Sequence, residues 1–262
     1  MFSSRAFDNR LVNVPEQSIP PFLEEPKSIK DSVINNSRLD GRDQVTPRLL
    51  FIKTGLVDKA HGSAYLEQGK IKISCAVYGP RPVVKAGAVI SATTGNLECE
   101  FSFSSFSSSW RTVKQRDTEE KEISQILTQA LGPSICLHMF PKSSIDVYVT
   151  VIESDGRLAT IAAAIKCATI ALVDASIDMF DVVTCVSASL FNNSWVIDCT
   201  QAEENEEDSS ILLSYMVSSQ EITNVIQTGK TSIELSQNGL NLCVDVGSKI
   251  YQAMCQYLSK SL

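Results

Sequence analysis

Residues 143–164 read SSIDVYVTVIESDGRLATIAAA. Ile145, Val147, Val149 and Val151 recur at period two, which predicts a β-strand, and further apolar residues at 148 and 152 predict burial on both faces, as in a central strand. Asp155-Gly156 turns the chain. A helix of small residues follows to about Asp174, with Leu158, Ile161, Ile165, Ala168 and Leu172 on one inward face. Alanine on much of the remaining circumference predicts a helix crowded on several sides. Strand, glycine turn and helix N-terminus are the parts of a phosphate site, because unpaired N–H groups and the helix dipole face whatever sits there.

Outward from this centre the pattern stays regular. On the N-terminal side, RLLFIKTG, GSAYLEQG and KIKISCAVYGP predict three strands of a meander, and NLECEFSFS a fourth. Asp117 with Glu120 reads as a capping box that starts a helix near Thr118, interrupted at Pro133. On the C-terminal side, DVVTCVSASLF and SWVID flank an Asn-Asn turn and predict a hairpin. Apolar runs around 211–217 and 222–226 add two strands, and a stripe from Leu240 to Leu258 adds a terminal helix. Four strands, helix, strand, helix, four strands and helix make an α+β layout with helices covering mixed sheets.

The chain has 262 residues, 44% apolar and 20% charged, enough for a sizeable core. Residues 1–37 hold four prolines without periodicity and read as an extended N-terminal arm or tail; 38–262 read as a single domain with halves at 38–180 and 181–262. Apolar runs are too short for a membrane span, and no secretory leader is visible. Eight scattered cysteines and two histidines, His61 and His138, predict reduced buried thiols and no metal site. A net charge of −7 excludes a body that grips nucleic acid over its whole surface, but leaves room for a local basic patch.

Several of these strings together resemble the RNase PH family. RLDGRDQVTPRLLFIKTGLVDKAHGSAYLEQGKIKISCAVYGPR (38–81) is similar to its opening, and ESDGRLATIAAAIKCATIALVDASIDMFDVV to its strand, glycine turn and helix. The resemblance spans roughly 38–260 and implies the RNase PH-like (ribosomal protein S5 domain 2-like) fold. Within the family the likeness is to ring subunits of the eukaryotic RNA exosome.

The resemblance also implies what an active member requires. Active members cleave RNA from its 3′ end with inorganic phosphate, and carry Gly-Thr-Arg after the glycine turn to hold that phosphate. The matching positions here are Arg157, Leu158 and Ala159, so two side-chain donors are absent. Active members also carry two aspartates six residues apart at the end of an acidic loop. EEDSS supplies Asp208, but six residues on stands Ser214; counted from Asp198 instead, the pair falls on Glu204 and Ser210. The run EENEED at 203–208 then reads as a solvated loop, with a metal site as the competing reading.

By resemblance the chain is a non-catalytic structural subunit of the exosome ring, with an inherited but empty phosphate cradle and no cofactor. It would help form the central RNA channel and support 3′–5′ RNA processing and degradation. Its partners would be other RNase PH-like ring subunits, cap subunits, an associated hydrolytic nuclease and RNA in the channel, in the nucleus, including the nucleolus, and the cytoplasm. Arg81 and the basic run Arg111, Lys114 and Arg116 are candidate RNA contacts, the run reading equally well as a solvated loop. The alternative is an active phosphate-dependent 3′–5′ exoribonuclease.

Overall fold

The computed structural model describes residues 38, 40–82, 93–108 and 118–261. The arm at 1–37, the capping residue Asp117, and Arg111, Lys114 and Arg116 therefore lie outside the described residues.

The first sheet is built from β1 (Leu50–Thr54), β2 (Gly62–Gln68), β3 (Ile71–Pro82), β4 (Asn96–Phe103) and β5 (Ser143–Glu153). Their order is β1-β2-β3-β5-β4, antiparallel except where β4 runs parallel to β5. The expected meander is β1-β2-β3. Strand β5 is interior in this order, but only its 145/147/149/151 face is buried; Tyr148 is 40% exposed. Burial on both faces, expected of β5, occurs instead in β6 (Val183–Phe191), where all nine residues are buried. The reason is position: β6 lies in the second sheet, packed between two helices.

That second sheet has the order β7-β6-β8-β9, all antiparallel, with β7 (Ser194–Ile197), β8 (Ser209–Met216) and β9 (Glu221–Gly229). Asn192 and Asn193 both take positive φ in the β6-β7 turn, as a two-residue hairpin requires.

Helix α1 (Thr118–Leu131) packs on β4 and shields that edge strand. Its Ser124 Oγ and Glu120 carboxylate accept hydrogen bonds from the N–H groups of Phe101 and Phe103. Glu120 thus spends its carboxylate on a neighbouring strand. Pro133 opens a 3-10 turn at Gly132–Ser134.

Helix α2 (Arg157–Asp174) lies between the sheets and touches both, with fourteen consecutive residues, Ala159–Leu172, buried. Its alanines let two sheets approach one helix, since a methyl group occupies little of the gap. Helix α4 (Ile233–Ser261) covers β6 and β8 on the far side and begins seven residues before the apolar stripe. Trp195 explains part of that extension: its Nε1 donates to Leu235 O at 2.8 Å, and its ring lies over Gly239, where a Cβ would stand 2.6 Å away.

Candidate functional site

The helix N-terminus read from the sequence exists, and it is filled. Gly156, at φ +91°, ends the turn after β5 and supplies no side-chain cap to α2. Glu204 reaches across from the second half instead. Its Oε2 accepts from the Arg157 N–H at 2.5 Å, and the Leu158 N–H also favours the carboxylate. Burial raises the Glu204 pKa, and those two N–H groups and Arg157 pull against it. A Cβ at position 156 would stand 2.9 Å from that oxygen and 3.1 Å from Cys199 O. Gly156 is thus required both by its φ and by the closeness of the carboxylate. The empty cradle expected by resemblance is corrected: the chain's own side chain occupies it.

What carries Glu204 there is a one-turn helix, α3 (Gln201–Glu204). The Thr200 hydroxyl accepts from the Glu203 N–H at 3.4 Å and the Glu203 carboxylate accepts from the Thr200 N–H at 2.8 Å, a complete capping box. The Gln201 N–H donates to Asp155 Oδ1 at 3.1 Å. The two turns therefore exchange carboxylates: Asp155 caps α3, and Glu204 caps α2. The solvated reading of EENEED fails at Glu203, which is 1% exposed, and at Glu204, which is half-buried.

Three arginines of the opening string hold this arrangement from below. Arg38 makes a two-pronged pair with Glu203, Nε–Oε1 at 2.9 Å and Nη2–Oε2 at 2.7 Å, and donates to the carbonyls of Ile197 and Asp198 at 3.1 Å each. Both partners are buried, so the pair rests on its geometry and on carbonyls that satisfy the remaining donors. Arg48 donates Nη1 to Asp155 Oδ2 at 3.1 Å and Nη2 to Cys199 O at 2.6 Å. Arg42 donates to Asp198 O at 3.3 Å. Asp198 Oδ2 also accepts from Gln68 at 2.8 Å, while Gln68 Oε1 accepts from the fully buried Lys166 at 2.5 Å. Burial lowers the Lys166 pKa, with Asp198 opposing it. A polar seam thus joins β2, α2 and the 197–204 segment between the sheets.

The positions matched to the family's phosphate triplet sit on the first turn of α2. Arg157 is exposed and its guanidinium lies 3.6 Å from Glu122, a weak solvent-screened pair. Leu158 packs partly against the core, and Ala159 is 3% exposed. Asp208 accepts from the Asn192 N–H at 3.2 Å, while Ser214, buried in β8, donates to Cys185 Sγ at 3.4 Å. Among the described residues no three His, Cys, Asp or Glu side chains gather as metal ligands. Arg81 lies apart from this cluster, exposed at the end of β3, its Cζ 4.6 Å from the Tyr78 ring centroid. His61 Nδ1 accepts from the Gly79 N–H at 3.2 Å, and the His138 ring stacks near Phe180.

Two consecutive stretches match the 3′ exoribonuclease family, domain 1 over residues 46–178 and domain 2 over residues 181–250. The chain belongs to the RNase PH family of 3′ exoribonucleases. It is 42% identical over 230 residues to the exosome complex component mtr3 of Schizosaccharomyces pombe, covering 86% of this chain and 85% of that one. This agrees with the likeness of GSAYLE, CAVYGPR, LECEF and SWVIDCT to the mRNA-transport-regulator type of exosome chain. An exosome complex component RRP41-like protein of Arabidopsis thaliana is 38% identical over 232 residues, 88% of each chain. Among solved structures, Rrp46 of rice (Oryza sativa) superposes with a TM-score of 0.74 at 25% identity, over 84% of this chain and all of that one. The RNase PH-like fold of the present chain, two mixed or antiparallel sheets with helices between and outside them, follows from both.

Proposed function

We propose that this RNase PH-family chain is a non-catalytic subunit of an RNA exosome ring. The observation that carries the reading is the cradle. Leu158 and Ala159 offer no polar side chain, and the backbone N–H of Arg157 is already bound to Glu204. A phosphorolytic enzyme needs those donors for its attacking phosphate. The second acid is a serine in either register, Ser214 six residues beyond Asp208 or Ser210 six beyond Glu204, which points the same way.

In this role the chain pairs with other RNase PH-like ring subunits, sits beneath cap subunits, and helps form a channel that delivers RNA to an associated hydrolytic nuclease. Its partners are thus proteins of its own family and RNA in transit, and it works in the nucleus, nucleolus and cytoplasm. Arg81 is the described candidate for guiding RNA; Arg111, Lys114 and Arg116 are the others. Phosphate contacts of this kind position a strand without reading its sequence.

Two measurements test the reading. Tagged chain isolated from its own cells should bring several RNase PH-like chains with it, as identified by mass spectrometry; their absence sinks the ring assignment. Purified chain given RNA and inorganic phosphate should release no nucleoside diphosphates. Their release would establish the alternative, an active phosphate-dependent exoribonuclease.

A further inference from the structure

Two buried charges in the polar seam between the sheets are only half satisfied. Asp198 is 3% exposed, and every side-chain hydrogen bond and ion pair it makes falls on one of its two carboxylate oxygens. Oδ2 accepts from the Arg48 backbone N–H at 2.9 Å and from Gln68 Nε2 at 2.8 Å, and lies 3.4 Å from Arg48 Nε and 3.8 Å from Arg42 Nη1. Oδ1 is buried and has no hydrogen-bond partner among the described residues. Lys166, 1% exposed, has the matching deficit: an ammonium carries three donors, and one of them is spent, on Gln68 Oε1. The two charges act on each other electrostatically without a direct ion pair. Both line a cavity of about 10 Å³, together with Gln68, Ser187 and, on its apolar side, Ala162 and Ile250.

We infer that this cavity is a binding site for a single water molecule, which accepts from the Lys166 ammonium and donates to Asp198 Oδ1. Each property of the site narrows the occupant. Its volume is on the order of the 10–15 Å³ that one water requires, so nothing larger enters. A cation is repelled by Lys166 and an anion by Asp198, which leaves a neutral molecule. That molecule must accept on one side and donate on the other, since an ammonium only donates and an ionised carboxylate only accepts. Water does both. A polar contact too long to be direct is one that a bridging water completes, and without it each group would forfeit hydration with nothing in return. Gln68 already spans the same two charges, with Oε1 on Lys166 and Nε2 on Asp198. The water closes a ring of Lys166, Gln68, Asp198 and itself, which joins α2 and β2 to the segment after β7 and so ties the two halves of the chain together.

The test is a crystal structure of the full chain, alone or in its assembly, at a resolution that shows ordered internal water. One density peak is expected within hydrogen-bond reach of both Lys166 Nζ and Asp198 Oδ1, and it should gain no anomalous signal after soaks in bromide or in rubidium. The inference is overturned if no peak appears there, if the peak turns anomalous, or if Lys166 and Asp198 meet directly. In solution, 17O relaxation dispersion of water counts the long-lived internal molecules. Lys166→Met, which removes the donors, should lower that count by one while the amide NMR spectrum shows the fold retained. An unchanged count in a folded Lys166→Met overturns the bridge. Where that variant does not fold, the density in the wild type decides alone.

Discussion

At Glu203 and Glu204 two neighbouring carboxylates face opposite electrostatic fates. Burial drives the Glu203 carboxyl up, but the Arg38 guanidinium and the Thr200 N–H outweigh it, and the net pKa lies below its ordinary 4.5. Its contribution to stability is therefore complete above pH 4.5 and is lost as the pH falls through the lowered native value. For Glu204 burial wins and the native pKa is raised, so its contribution runs the other way and declines as the pH rises through that value. Replacing Arg38 by Met should cost about 3–5 kcal/mol at neutral pH, because it leaves a buried carboxylate unpaired. Urea melts across pH should show the deficit shrinking in acid; a pH-independent deficit would mean the pair is not ionic. Gly156→Ala should cost roughly 1–3 kcal/mol from its φ alone. Part of that loss should be recovered in the double variant with Glu204→Ala, since the added methyl group meets Glu204 Oε2.

The elements divide according to how their signal is written. Strands β1 to β5, the hairpin β6-β7 and helix α2 are legible because apolar period and turn residues agree: Asn192 and Asn193 announce their turn, and the alanines of α2 announce its crowding. Ala163 and Ala164 have no exposed surface, so Ala163→Leu should destabilise by about 1–3 kcal/mol through overpacking, readable by thermal melting. Ala159→Arg, one step of restoring the family triplet, should likewise destabilise, since position 159 is buried beside the core. Helix α3 was hidden for two reasons. Four residues are too few for a hydrophobic period, and a run of acids looks like a solvated loop. Its one signal is Thr200 with Glu203 three residues on, a capping box followed by no apolar run. The partners of Arg38 and Arg48 had no local signal, because they lie 159 or more residues away for Arg38 and 107 or more for Arg48. Family resemblance marks the Arg-x-Asp-Gly-Arg string; only the fold gives it its work of holding the 197–204 segment.

At the scale of the whole molecule, eight cysteines remain free, and five of them, Cys75, Cys167, Cys185, Cys199 and Cys243, are buried. Burial pushes the Cys199 and Cys243 thiols up to about 12 and Cys185 to about 11. Native alkylation followed by intact mass should therefore modify Cys136 and Cys255 first, with the buried five reacting only on unfolding. Rapid modification of all eight would contradict the packing.

The arginine seam also ties the start of the described fold to the second half of the chain. Arg38 stands at the head of the described fold, yet its carboxylate partner is 165 positions later. The acceptors that the Arg38 side chain uses, Ile197 O, Asp198 O and the Glu203 carboxylate, all lie in the second half, so a chain ending before residue 197 would leave Arg38 without them. The seam is thus non-local, and its contacts are complete only when both sheets are present. A fragment of residues 38–180 should collapse with its Arg-x-Asp-Gly-Arg string exposed to proteolysis, and adding the remaining chain in trans should restore its protection.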